Sequence, residues 1–277
     1  MQVVLAESAG FCYGVKRAMD GVMQVARESG KPIYTLGPLI HNPQVIEKLE
    51  SEGVKSVHEL SEIPGGSVVV MPSHGVSKPV MDQARESGLE IIDLTCPFVS
   101  KVHRLAEQLV SEGYQVVVLG DPGHTEVKGI MSRAGEGAVA VSHAEDLSSH
   151  ELGKRVGVLA QTTQRPDEYR MLVAEVALRA YEVRGFNTIC NATTDRQQSA
   201  LELASDVDVM IIVGGRNSAN TRRLAEMCSS VVRTHHIEVA GELDPKWFRE
   251  TEKVGVTAGA STPDWIIEEV VKKLESL

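Results

Sequence analysis

Asp93-Leu94-Thr95-Cys96-Pro97-Phe98-Val99 is the stretch on which the reading of this fold turns. Upstream, Leu89-Glu90-Ile91-Ile92 is a short apolar run with the length of a buried parallel strand. Downstream, Val99, Val102, Leu105, Ala106 and Leu109 recur at helical spacing, with Lys101, Arg104, Glu107 and Gln108 on the opposite face. Cys96 therefore stands where a strand hands over to a helix, and Pro97 fills a first-turn position, where a missing N–H costs nothing. Unpaired backbone N–H groups and the positive end of the helix dipole favour an anion there, and a thiolate is an anion. Taken alone, the same cysteine reads equally well as a packing residue at a strand end.

Repetition decides between the two. Cys12 follows Val3-Val4-Leu5-Ala6 and precedes a helical face of Val15, Ala18, Met19, Val22, Met23 and Ala26. Cys190 follows Phe186-Asn187-Thr188-Ile189 and opens a helix through Leu201, Leu203 and Ala204. After each cysteine a helix and then a strand end in a glycine: Gly37, Gly120 and Gly214, which lie 25, 24 and 24 residues on. Four residues past these glycines stand His41, His124 and Ser218. A second strand running into a polar loop recurs as well, at Val68–His74, Val156–Thr162 and Val254–Ser261. The chain is an internal threefold repeat of roughly 85–95 residues, in which the N-terminal strand and Cys12 complete the third copy.

The segments in chain order alternate strand and helix. Strands are predicted over 2–6, 33–37, 54–57, 67–71, 89–92, 115–119, 138–141, 155–160, 187–189, 207–213, 231–233 and 254–258. Helices are predicted over 14–29, from 43, and over 78–87, 98–112, 126–133, 166–183, 193–204, 220–228 and from Asp264. Short Val/Ile strands alternating with helices imply an α/β fold with small, mostly parallel sheets. Three similar modules are expected, 14–96, 97–192 and 193–277 plus 1–13, in a pseudo-threefold arrangement around one central site. That site belongs beyond the carboxyl ends of the strands, where the cysteines and polar loops fall.

Composition removes several alternatives. A net charge of −10 argues against non-specific binding to nucleic acid or anionic membrane. Aromatic residues make up 4%, too few for base-stacking platforms. No apolar run approaches the ~20 residues of a membrane span, and the first residues lead into a strand without a signal-peptide pattern. Four cysteines in 277 residues do not make a disulfide scaffold, so a reducing cytoplasm is the expected setting.

Three thiolates converging on one point suggest a metal. Structural zinc is normally closed by four protein ligands, so three cysteines fit either a catalytic zinc or an iron–sulfur cluster with one iron lacking a thiolate. Spacing does not choose between them. Cys228 has no repeat partner and reads as core. The loops facing the cysteines offer His41, His74, His124, Thr162, Ser218, Asn220 and Ser261, hydrogen-bonding groups beside helix N-termini that suit phosphate oxygens. Any single Ser or Thr among them could equally be a helix cap. Glu126, two residues past His124, could favour the helix dipole or deliver protons. His58, His103, His143, His150, His235 and His236 lack a strand-end placement and read as surface or packing residues.

These motifs resemble the IspH/LytB family, the 4-hydroxy-3-methylbut-2-enyl diphosphate reductases. The likeness is carried by Gly10-Phe11-Cys12-Tyr13-Gly14-Val15, His41-Asn42, Ser73-His74-Gly75-Val76, Thr95-Cys96-Pro97 and Gly123-His124-Thr125-Glu126. It continues through Gln161-Thr162-Thr163, Thr188-Ile189-Cys190-Asn191-Ala192-Thr193, Asn217-Ser218-Ala219-Asn220 and Ala258-Gly259-Ala260-Ser261, nearly the whole chain in order. The resemblance implies a [4Fe-4S] cluster on Cys12, Cys96 and Cys190, with one iron open to the substrate's 4-hydroxyl. It implies diphosphate binding by His41, His74, Ser218, Asn220 and Ser261. His124 would lie near the diphosphate and the proton path, Glu126 would feed protons and Thr162 would orient the hydroxyl. The implied reaction is the last step of the methylerythritol phosphate route, reductive dehydroxylation to isopentenyl and dimethylallyl diphosphates. With no nicotinamide or flavin fingerprint evident, electrons would come from a ferredoxin- or flavodoxin-like protein. One departure stands out: Ala219 occupies a position where family members often carry a serine. A non-redox cluster or zinc hydro-lyase and an iron–sulfur sensor are the competing readings.

Overall fold

Val209-Met210-Ile211-Ile212-Val213 illustrates how the sheets of this protein are built. All five residues are buried, as in a parallel strand covered on both faces. Val209, Ile211 and Val213 pack with the C-terminal helix residues Ile266, Ile267 and Val270. Met210 and Ile212 point the other way, onto Ala200, Ala204, Leu224 and Cys228 of two further helices. The period of two divides the strand between two apolar layers, and each fully buried Val or Ile stabilises by roughly 1.5–3 kcal/mol.

The computed structural model describes residues 1–277. In chain order the elements are β1 (Gln2–Leu5), α1 (Tyr13–Glu28), β2 (Ile33–Leu36), α2 (Pro43–Ser51), β3 (Val54–Val57), β4 (Val68–Met71), α3 (Lys78–Glu86) and β5 (Glu90–Asp93). Then come α4 (Pro97–Ser111), β6 (Gln115–Leu119), α5 (Thr125–Met131), β7 (Val139–Val141), β8 (Arg155–Ala160), α6 (Pro166–Arg179) and β9 (Glu182–Gly185). The chain closes with α7 (Asn191–Ala204), β10 (Val209–Val213), α8 (Ala219–Ser229), β11 (Arg233–Ile237), β12 (Lys253–Ala258) and α9 (Asp264–Glu275). Every strand pairing is parallel.

The strands form three four-stranded sheets, ordered β3-β2-β4-β5, β7-β6-β8-β9 and β11-β10-β12-β1. The orders match position by position, and the N-terminal strand takes the fourth place in the last sheet. Each cysteine of the repeat follows the edge strand in that fourth place: Cys96 after β5, Cys190 after β9 and Cys12 after β1. The chain packs as two compact units. One comprises Met1–Lys16, Ile40–Lys48 and Asn191–Leu277 and holds the sheet of β1; the other comprises Arg17–Leu39 and Leu49–Cys190 and holds the other two.

The larger unit repeats the two-faced packing. Val117, Leu119, Val156, Val158 and Ala160 face Leu172 and Val176 of α6. On the other face Val116, Val118 and Leu159 meet Val102, Ala106 and Leu109 of α4 and Val127 and Ile130 of α5. Gly157 permits the close approach of α4, since a methyl there would lie 2.6 Å from both Leu109 methyl groups. No helix is long and apolar enough to cross a membrane.

Three predicted segments differ. The helix expected over 166–183 stops at Arg179, and residues 182–185 form β9 rather than the short strand expected over 187–189. Nothing in the sequence marks the stop: Ala180 ends the helix in an extended conformation with no glycine or proline. Asn187-Thr188-Ile189 lies beyond the ladder, tied instead by the Thr188 hydroxyl, which takes the Ala160 N–H at 2.8 Å and donates to the Ala160 carbonyl at 2.6 Å. The strand expected over 231–233 is Arg233–Ile237, because an edge strand tolerates the polar Thr234-His235-His236 run.

Candidate active site

In the larger unit hydrogen bonds and one ring contact join the polar loops. Cys96 is the N-cap residue of α4; its N–H donates to the Ser73 carbonyl at 2.9 Å, beside His74. The His74 ring lies edge-on to that of His124, centroids 6.4 Å apart. His124 caps α5, its Nδ1 accepting the Glu126 N–H at 3.1 Å. The Glu126 side chain is nearly sealed, with 3% of the residue exposed. Its Oε1 accepts the Thr162 N–H at 2.7 Å and its Oε2 is 3.0 Å from the Thr162 hydroxyl. The Thr162 carbonyl in turn accepts the Cys190 N–H at 3.0 Å. Six residues predicted for the site from two repeats are thus linked, ending on a cysteine at each side.

The chemistry of the Glu126–Thr162 pair follows from its donors. A hydroxyl donates to a carboxylate and accepts from a carboxylic acid, so the contact survives proton loss or gain at Glu126. A buried carboxyl held this way can keep and release a proton at a fixed place. Gln161, fully buried, braces the neighbouring loop: its Oε1 accepts the Asp121 N–H at 3.2 Å.

The smaller unit gathers Cys12, His41, Ser218, Asn220 and Ser261. Cys12 directly precedes α1; its N–H donates to the Ala260 carbonyl at 3.2 Å and its carbonyl accepts the Lys16 N–H at 2.9 Å. Arg196, buried on α7, donates to the Gly10 carbonyl at 2.7 Å and fixes that approach. The Ser261 hydroxyl donates to the His41 carbonyl at 3.3 Å. Gly215 lets its loop pass the same carbonyl, which a methyl would meet at 2.6 Å. Burial, followed by the charge of Arg222, holds His41 below the usual histidine range, so its ring is neutral at pH 7.

Ser218 caps α8 and accepts the Thr221 N–H at 3.3 Å. Asn220 is 4% exposed, yet neither its amide N nor its carbonyl O has a hydrogen-bond partner within the protein. A buried amide in that state has donor and acceptor capacity to offer a ligand. The Gly214–Ser218 loop is fastened from β11: His236 Nε2 lies 2.8 Å from the Gly214 carbonyl, and Glu238 accepts the Arg216 N–H at 2.7 Å.

The cysteines fall into two kinds. Cys12, Cys96 and Cys190 are partly exposed and each immediately precedes a helix. Cys228 is fully buried, and burial pushes its thiol up to about 11. Only the first three suit thiolate chemistry. No three His, Cys, Asp or Glu side chains are grouped closely enough to hold a metal ion; what the three cysteines offer an iron–sulfur cluster is their donor chemistry, which fits it. Asn42, fully buried with its Oδ1 accepting the Val45 N–H at 3.0 Å, and Arg196 were not singled out as site residues from the sequence. The Asn42-Pro43 pair at a helix start was a usable signal for the first; nothing local marked the second.

The fold is that of an α/β enzyme, and thiols, a histidine pair and a buried carboxyl stand near the carboxyl ends of its parallel strands, where such enzymes commonly carry their sites. The chain belongs to the LytB family: residues 3–275 match the family described as LytB protein. The 4-hydroxy-3-methylbut-2-enyl diphosphate reductase of Pelobacter propionicus is 48% identical over 275 residues, covering 99% of this chain and 98% of its own. The reductase of the same name from Trichlorobacter lovleyi is 49% identical over 278 residues, 100% of this chain and 99% of its own. Among solved structures, an (E)-4-hydroxy-3-methyl-but-2-enyl diphosphate reductase, the terminal enzyme of the non-mevalonate pathway, is 44% identical with a TM-score of 0.73 and full coverage of both chains. The E-1-hydroxy-2-methyl-but-2-enyl-4-diphosphate reductase from Plasmodium falciparum is 28% identical with a TM-score of 0.93, covering 100% of this chain and 87% of that one.

Proposed function

We propose that this chain converts (E)-4-hydroxy-3-methylbut-2-enyl diphosphate to isopentenyl and dimethylallyl diphosphates, the last step of the methylerythritol phosphate isoprenoid route. The observation that carries this reading is full-length membership of a family whose relatives bear that activity in their names. The Glu126–Thr162 pair supports it as well. The reaction adds two electrons and two protons, breaks the allylic C–O bond and releases water.

Cys12, Cys96 and Cys190 would hold a [4Fe-4S] cluster. When bound, that cluster supplies electrons one at a time and a Lewis-acidic iron left without a thiolate. The protein's own groups do the rest. His41, His74, Ser218, Asn220 and Ser261 take the diphosphate oxygens by hydrogen bonds. The buried Asn220 amide is the group with most unspent capacity for this. At position 219 the alanine offers no hydroxyl, but its backbone N–H, at the first turn of α8, still points an orphan donor toward an anion. Thr162 orients the 4-hydroxyl, Glu126 delivers the proton that makes it leave as water, and His124 lies near the diphosphate and the proton path. Electrons arrive from a ferredoxin- or flavodoxin-like protein in the cytoplasm. We assign three modules, 14–96, 97–192 and 193–277 plus 1–13, each contributing one cysteine.

Anaerobic turnover tests the proposal. Reconstituted protein with a reduced viologen dye and the hydroxylated diphosphate should form both isoprenoid diphosphates at a rate set by the dye. Dehydration without consumption of reductant would favour a hydro-lyase, and no conversion at all would favour a sensor.

A further inference from the structure

The sequence marks His103 as a surface or packing residue, and its surroundings give that packing a purpose. It lies on α4, two turns past Cys96, and is 7% exposed. One edge of its ring faces two glycines. A methyl at Gly75 would lie 2.9 Å from His103 Cε1, and one at Gly129 would lie 2.9 Å from Nε2. Gly75 adjoins His74, and Gly129 follows Glu126 by one turn of α5. Gly75 also has φ +74, a conformation that favours glycine. Arg133 ties the same two segments together, Nη1 donating to the Val76 carbonyl at 3.1 Å and to the Gly129 carbonyl at 2.8 Å.

We propose that His103 is a positioning residue that spaces the His74 turn from the His124–Glu126 helix and thereby sets the geometry of both. This rests on the roles proposed above for His74 and Glu126. A flat ring fits where two residues lack a Cβ; a larger group would drive the segments apart, and a smaller one would let them collapse. The ring stays uncharged at neutral pH, since burial and then Arg133 push it down to about 4. It therefore spaces the two segments without repelling Arg133.

The test uses three variants of the reconstituted enzyme: His103→Ala, Gly129→Ala and the double substitution. Readouts are KM, kcat, thermal midpoint and affinity for inorganic pyrophosphate. The His103→Ala variant should raise KM and lower kcat, together costing on the order of tenfold or more in kcat/KM, and should weaken pyrophosphate binding. Alanine in place of Gly129 favours the helix but overpacks the imidazole, so this variant should fold with at most a modestly lowered thermal midpoint while its new methyl lowers kcat/KM. In the double variant that methyl enters the vacated space, and kcat/KM should recover part of the combined loss. Wild-type kinetics for Gly129→Ala, or strictly additive losses in the double variant, would overturn the spacing role. Inactivity of the wild-type enzyme itself would instead count against the proposed reaction.

Discussion

Glu126 keeps a carboxyl group where 3% of the residue reaches solvent, and it tolerates this because Thr162 satisfies both oxygens. Replacing Glu126 by Gln keeps the shape and removes the acid, so kcat should fall by roughly 10²–10⁴ with KM little changed. Steady-state kinetics on folded protein checks it. Removing the hydroxyl with Thr162→Val leaves one buried oxygen with a lost partner, a destabilisation of about 1–3 kcal/mol readable by denaturant unfolding. His103 gives a second prediction at this scale. Its folded value near 4 lies below the unfolded 6.5, so the unfolded chain binds the extra proton between those values. Stability from His103 is therefore complete above about pH 6.5 and is lost as pH falls toward 4, by about 3 kcal/mol at most. Unfolding measured across that window should be less pH-dependent in His103→Gln than in the wild type. Individual residues were legible in the sequence where the repeat marked them, as with Cys12, Cys96 and Cys190. His103 and Arg196 were not, because their partners are 28 and 186 residues away, at Gly75 and Gly10, and no local pattern records such pairings.

At the scale of the element, the repeat shows in matching strands. Arg155-Val156-Gly157-Val158 and Lys253-Val254-Gly255-Val256 carry glycine at the same place, and both glycines lie under a large side chain. A methyl on Gly157 would come 2.6 Å from Leu109, and one on Gly255 would come 2.3 Å from Met210 Sδ. Alanine at either should cost about 1–3 kcal/mol by overpacking, measured by urea unfolding, with Gly255 the milder because a methionine can move aside. Strand-end positions were readable for the same reason that the cysteines were: three copies of one pattern average out local ambiguity. The end of α6 was not. Leu178 and Tyr181 continue an apolar sequence pattern while being 84% and 92% exposed, so the pattern that normally reports burial runs past the true helix end. The edge strands β9 and β11 were misplaced because one open edge and partial burial let polar residues into them.

On the scale of the whole molecule, three sheets of one topology each present a cysteine after the same edge strand; spacing in the sequence marks the threefold repeat and the cysteines at strand ends, but not the strand order. Cys228 provides the internal control. Cys228→Ala should lower stability by about 1 kcal/mol and leave iron content unchanged, whereas alanine at Cys12, Cys96 or Cys190 should each lower bound iron after anaerobic reconstitution, measured by iron and sulfide analysis. The reaction proposed for this protein turns on a cluster held by three cysteines with one iron open to substrate. The most direct test is a Mössbauer spectrum of anaerobically reconstituted protein, taken with and without (E)-4-hydroxy-3-methylbut-2-enyl diphosphate. The expected result is a four-iron cluster with one distinct iron whose signal changes when the substrate is added. A zinc-only protein, or a cluster whose spectrum ignores the substrate, would contradict it.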